Sequence, residues 1–361
     1  MSMSIKEILK EENFTKENII SLLQCNQEEQ EHLFEYSAKI KDKFVGNNVY
    51  LRGLIEYSNN CSKNCFYCGI RGDNELNVKY VMDDDEVLEA AKFALDNDFG
   101  SIAIQAGERS DRNFTKKITD LLHKIREISG GELGITLSLG EQSEEVFKEW
   151  SDAGAHRYLL RIEASDKDLY SKLHPKDHIY DDRIKNLKLL RKVGYQVGTG
   201  VMVGLPWQSY ENLADDILFM KSIDIDMCGM GPYIEHRDTP LWEHKDILKP
   251  QKERFELTLK MIALLRIIMK DINIVASTAM QTLDPHGREK AIAVGANIIM
   301  PNLTPLKYRE GYLIYENKPN LNEEIVETKI ALEKSLAQVG AQIVYKKWGD
   351  SKHFKERNKT K

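Results

Sequence analysis

No run of apolar residues in the 361-residue chain approaches the roughly 20 that a membrane-spanning helix requires, and the opening Met1 to Glu7 lacks the apolar core of a secretory signal. No membrane association is expected. Cysteine is scarce. Five are present, an odd number, and three lie within the eight residues from Cys61 to Cys68, which excludes the disulfide framework of a small secreted domain and predicts a reducing, cytoplasmic setting. Excess positive charge is also missing: 51 Lys and Arg against 57 Asp and Glu leave a net charge of -6, so the chain is not built to coat nucleic acid. A small-molecule partner fits better. The turn at Gly204-Leu-Pro206 lacks a following Lys-Ser/Thr pair and therefore does not read as a phosphate cradle.

The residues that are present alternate between two patterns. Apolar, β-branched runs predict strands at Val49–Tyr57, Ser101–Gln105, Gly134–Leu139, Arg157–Glu163, Gln196–Val203, Met227–Tyr233, Ile272–Ser277 and Asn297–Asn302. Amphipathic stretches between them predict helices from Asp83 and over about 112–128, 142–153, 181–193, 209–222, 251–270 and 286–294. Two starts carry capping pairs, Asn26 with Glu29 and Asp83 with Glu86. Eight strands alternating with helices over about 255 residues predict an α/β fold of the (β/α)8 TIM type. A doubly wound open sheet has the same local pattern, because periodicity does not display closure. The expected organisation is an N-terminal helical segment over 1–48, a barrel over 49–315, and over 316–361 a further helix and a basic tail packed on or near the barrel. That tail, Lys352–Lys361, reads as solvated and mobile.

The run Cys61-Ser-Lys-Asn-Cys65-Phe-Tyr-Cys68 follows the first strand, on the face where barrel enzymes build active sites. Three thiolates in C-x3-C-x2-C spacing can hold three corners of a cubane iron-sulfur cluster and leave the fourth iron open. A zinc knuckle would need a fourth ligand, and after Cys68 the next histidine is His123 and the next cysteine Cys228. Cys25 and Cys228 read as small buried hydrophobes.

With aromatic Tyr67 before the last cysteine, the motif resembles the radical S-adenosylmethionine superfamily. In that superfamily the open iron chelates the methionine moiety, and one electron then cleaves the sulfonium to give a 5'-deoxyadenosyl radical. Gln105-Ala-Gly107-Glu108 resembles the element that holds the substrate's amino group. Further blocks are similar to the HydE family of FeFe-hydrogenase maturases, a biotin synthase-like branch: Leu51 to Glu56, Thr136 to Glu141, Arg157 to Glu163, Met202 to Pro206, Asp226 to Pro232, Ser277 to Met280 and Gly295 to Pro305.

The resemblance implies one 4Fe-4S cluster on Cys61, Cys65 and Cys68, with S-adenosylmethionine held by Tyr67, Gln105, Gly107, Glu108, Arg161, Glu163 and Arg183. It implies that Arg157, Met227, Ser277, Thr278, Tyr308 and Arg309 line the substrate cavity. Arg157, Arg161 and Glu163 fall at alternate positions of one strand and are expected to project inward together; an internal ion-pair network is the competing reading. The family implies attack on a cysteine-bound iron carbonyl cyanide precursor, with other hydrogenase maturases and a ferredoxin- or flavodoxin-type electron donor as partners. Methylornithine synthase and biotin synthase types, acting on small amino-acid-like substrates, are the alternatives. Many family members carry three further cysteines for a second cluster, and no cysteine follows Cys228 here, so no second cluster is expected.

Overall fold

A computed structural model describes residues 3–319, 321 and 325–359. Eight parallel strands form the centre: β1 (Asn48–Ser58), β2 (Ser101–Ala106), β3 (Gly134–Ser138), β4 (Ala155–Leu159), β5 (Gln196–Thr199), β6 (Met227–Cys228), β7 (Asn273–Ile274) and β8 (Ile298–Ile299). Each pairs with its successor from β1 to β7, and β8 pairs with β1 through Tyr50↔Ile298 and Leu51↔Ile299. A parallel bridge between Val275 and Ile298 joins β7 to β8. The sheet therefore curls through all eight strands and meets itself, the (β/α)8 arrangement expected. A short parallel pair, Met202–Val203 with Gly231–Pro232, lies beyond β5 and β6.

Helices cover the outside because each presents one apolar stripe to the strands. Along Arg112–Ile128 the buried residues Phe114, Ile118, Leu121, Leu122 and Ile125 recur at three- and four-residue steps. The capping boxes at Asn26 and Asp83 are both formed. Gln251–Ile268 is instead buried almost all round, since the N-terminal helices form a second layer over it. Lys260 donates to the carbonyls of Leu23 and Cys25, and Lys41 reaches the Ile292 carbonyl at 2.6 Å; a buried ammonium is tolerable only with such acceptors.

The C-terminal region departs from expectation. A ninth strand, β9 (Gln342–Val344), pairs in parallel with β1 at Asn48–Tyr50. The chain then crosses the barrel floor, at the N-terminal ends of the strands. Trp348 Nε1 donates to the Glu132 carbonyl, the Gly349 carbonyl accepts from Arg52 and Asn273, and Asp350 accepts from Arg157 and Gln196. Lys352–Lys359 is an ordered helix, not a solvated tail: His353 lies between Asp224 and Asp271, and Arg357 pairs with Asp224 and Asp226. Ion pairs to the loops entering β6 and β7 hold this basic segment in place. Thr360 and Lys361 lie outside the described residues.

Candidate active site at the C-terminal mouth of the barrel

β1 ends at Ser58 and delivers the cysteine loop directly over the C-terminal mouth. The loop is tied to the end of β2, where Gly107 N donates to the Ser58 carbonyl at 2.8 Å and the Glu108 carbonyl accepts from both N and Oγ of Ser62. Gly107 is required by proximity: a Cβ there would lie 2.4 Å from the Asn60 carbonyl oxygen and 2.8 Å from Cys61 Cβ.

Cys61, Cys65 and Cys68 are half-buried free thiols, and each sulfur has an N–H donor beside it. Lys63 N and Glu108 N approach Cys61 Sγ at 3.4 and 3.3 Å, His178 Nδ1 lies 3.6 Å from Cys65 Sγ, and the Ile70 amide serves Cys68. Burial pushes all three thiols up, Cys65 to about 12, so a metal is needed to draw off their protons. Donors aimed at sulfur suit ligands that carry negative charge when metallated. The three residues fit a cubane cluster.

Around the loop stands a compact charge network. Arg183 pairs with Glu141 at 2.9 Å and Glu108 at 3.5 Å, and Lys63 reaches the same carboxylates at 3.7 and 3.4 Å. Burial works against the Arg183 charge, but Glu108 and Glu141 more than offset it, and its proton is held above the ordinary range. Burial pushes the Glu141 and Glu163 carboxyls up. Glu163 pairs with Arg161 at 2.9 Å and faces Arg183 and the Cys68 thiol.

Tyr67, Gly107, Glu108, Arg161, Glu163 and Arg183 are thus gathered at this mouth with the cysteines, while Gln105 meets the buried Tyr312 phenol. Arg157 is not with them. The expected common face fails because β4 stops at Leu159 and Glu163 turns into left-handed backbone, φ 66°. Arg157 instead donates to Thr136 Oγ1 and to Asp350 at the barrel floor. The buried Met227 sulfur accepts from Arg52 at 3.1 Å. Ser277 Oγ is buried and finds no hydrogen-bond partner among the described residues; a Cβ on Gly231 would lie 2.6 Å from it. Thr278 opens the helix Thr278–Leu283.

Tyr308 and Arg309 are both engaged by groups of the protein. They sit on a short helix whose geometry sends the Tyr308 hydroxyl to Glu86, on an outer helix, at 2.6 Å, and Arg309 is engaged by the carbonyls of Thr304 and Asn302. Sequence reasoning missed Tyr312, Glu141, His174 and His178. The last two form an H-x3-H pattern, and with Cys65 they bring three ligand atoms within 4.8 Å of one another. Cys65 belongs to the three-cysteine set, which leaves the two histidines as its surroundings.

Comparison with known proteins agrees with this geometry. The Radical SAM superfamily profile matches residues 55–220. The chain is 43% identical to the FeFe hydrogenase maturase subunit HydE of Thermotoga maritima, over 87% of each chain. It is 27% identical to the 3-methylornithine synthase of Methanosarcina acetivorans, over 81% of this chain and 80% of that one. A solved methylornithine synthase structure superposes with a TM-score of 0.77 at 22% identity, covering 95% of this chain and 98% of the other, a likeness of fold. Three-cysteine loop, barrel mouth and sequence agree: the chain is a radical S-adenosylmethionine enzyme and belongs to the HydE family.

Proposed function

We propose that this chain is a maturase for the two-iron centre of FeFe hydrogenase, acting on a small cysteine-bound iron carbonyl cyanide precursor. The reading is carried by the 43% identity to a HydE maturase across 87% of the chain, and supported by the donor-lined cysteine loop above a barrel with a polar interior. When bound, one 4Fe-4S cluster supplies the electron that cleaves S-adenosylmethionine.

The residues of the chain do the rest. Arg183, braced by Glu141 and Glu108, is suited to a carboxylate, because Arg presents a fork of donors with a fixed charge. Glu108 offers an acceptor to an ammonium group, and the Arg161–Glu163 pair and Tyr67 complete the holder. Below them, Met227, Ser277 and Thr278 line the wall, Ser277 with an unspent hydroxyl. Arg157, at the floor beside Thr136, is paired with Asp350 and closes the barrel beneath this space rather than lining it. Barrel walls exclude water from the reacting centre. The reading includes a single cluster, since no cysteine follows Cys228, an electron donor of ferredoxin or flavodoxin type, and product transfer to other maturases.

The test is anaerobic reconstitution followed by turnover. Expected are one 4Fe-4S cluster per chain, S-adenosylmethionine cleavage with dithionite, and a precursor-dependent adenosylated product by mass spectrometry. A chain that cleaves the cofactor but leaves the precursor untouched overturns the maturase assignment; formation of methylornithine from a small amino acid would then point to the methylornithine synthase type.

A further inference from the structure

Two histidines beside the cluster loop have their ring protons fixed by what they touch. His174 Nδ1 lies 2.8 Å from the Tyr170 carbonyl, which only accepts, so Nδ1 carries the proton and Nε2 is the acceptor. The Tyr67 hydroxyl, 3.3 Å from that Nε2, is therefore the donor of its contact. The Tyr67 hydroxyl is also within hydrogen-bonding reach of the Cys65 thiol, and its single proton serves only one of the two at a time. His178 Nε2 lies 2.6 Å from Arg183 Nη2, and a guanidinium only donates. Nε2 must accept, and Nδ1 must carry the proton. That Nδ1–H lies 3.6 Å from Cys65 Sγ.

We propose that His178 is a positioning residue that bridges Arg183 to Cys65, donating a hydrogen bond to the Cys65 sulfur and raising the reduction potential of the cluster held there. The inference rests on the cluster assignment made above. Hydrogen bonds to ligand sulfurs stabilise the more negative, reduced form of a cluster. The bridge is directional: Arg183 fixes the tautomer, so the group suited to the cofactor's carboxylate also sets which nitrogen faces the sulfur. His174, occupied by Tyr170 and Tyr67 and edge-on to His178 at 4.4 Å between ring centroids, keeps the bridging ring in place without touching sulfur itself.

The experiment uses the full chain, reconstituted anaerobically, without S-adenosylmethionine, followed by electron paramagnetic resonance during a redox titration. In His178→Leu the midpoint is expected to move negative, lowering the reduced-to-oxidised ratio about fivefold at the potential where the unmodified protein is half-reduced. His178→Gln, whose amide can accept from Arg183 and donate to Cys65, is expected to restore most of the shift. An unchanged midpoint in His178→Leu at full cluster content overturns the proposal, as does a Gln variant no better than Leu. A second readout needs no variant that must fold. In 15N-histidine-labelled protein, pulsed resonance on the reduced cluster is expected to show a weak histidine nitrogen coupling, and its absence overturns the proposal. A chain that binds no cluster sinks the functional reading itself; a chain that cleaves S-adenosylmethionine yet lacks the coupling sinks only the bridge.

Discussion

At the scale of single residues the site depends on how closely two loops approach. Gly107 lies where the turn after β2 meets the cysteine loop, and any side chain there collides with the Asn60 backbone, which cannot swing away as a flexible side chain would. Gly107→Ala is expected to displace the loop carrying Cys61 at a cost of about 1–3 kcal/mol, with loss of most iron on anaerobic reconstitution while the far-ultraviolet circular dichroism is retained. Full iron loading in that variant would show that the contact relaxes freely. Residue type was legible here, since a glycine before Glu108 at a strand end is a recognisable signal. The histidines were not, because nothing in His174-Pro-Lys-Asp-His178 says that a loop over 100 residues earlier in the chain packs on it.

Among the elements, the barrel strands were read close to their observed centres because β-branched runs and helical stripes are local properties. Their ends were not. The fourth strand was expected to reach Glu163, but it stops at Leu159, and the left-handed turn at Glu163 depends on the bridge to Val201, a partner that local periodicity does not reveal. The Lys352–Lys359 helix was unreadable for a related reason: its mean composition is that of a solvated tail, and its order comes from carboxylates on distant loops. Its docking is expected to depend on pH. The hydrogen bond to Asp271 raises His353 from 6.5 to about 9, burial opposing and Asp224 adding to the rise. A group raised in the folded state stabilises fully below its unfolded value and loses that contribution as pH climbs through the folded one. Hydrogen-exchange protection across this helix should therefore be flat below about pH 6.5 and fall between there and about pH 9. A His353→Asn variant with the same pH profile would remove His353 as the cause.

For the whole molecule, the barrel has two differently built ends. The upper mouth is open chemistry, with cysteines, carboxylates and guanidinium groups; the lower one is sealed by the segment through Trp348 to Ser351. Arg52 and Arg157 are both buried beneath it, and Asp350 is the carboxylate that hydrogen-bonds Arg157 there. Removing one partner of a buried pair leaves an uncompensated charge and costs about 3–5 kcal/mol. Asp350→Ala is expected to lower stability by that order in chemical denaturation, with part recovered when Arg157→Leu is added. Equal losses in the single and double variants would mean that the ion pair is not what Asp350 contributes.

The parallel pairing of β9 with β1 also bears on synthesis. Asn48 meets Gln342, 294 positions later, so one edge of the first barrel strand to leave the ribosome stays without partners while most of the chain is being made. An apolar strand edge exposed for that long invites intermolecular pairing. The demand for chaperones in producing this enzyme should therefore be set less by its cluster than by the wait of β1 for the strands that flank it.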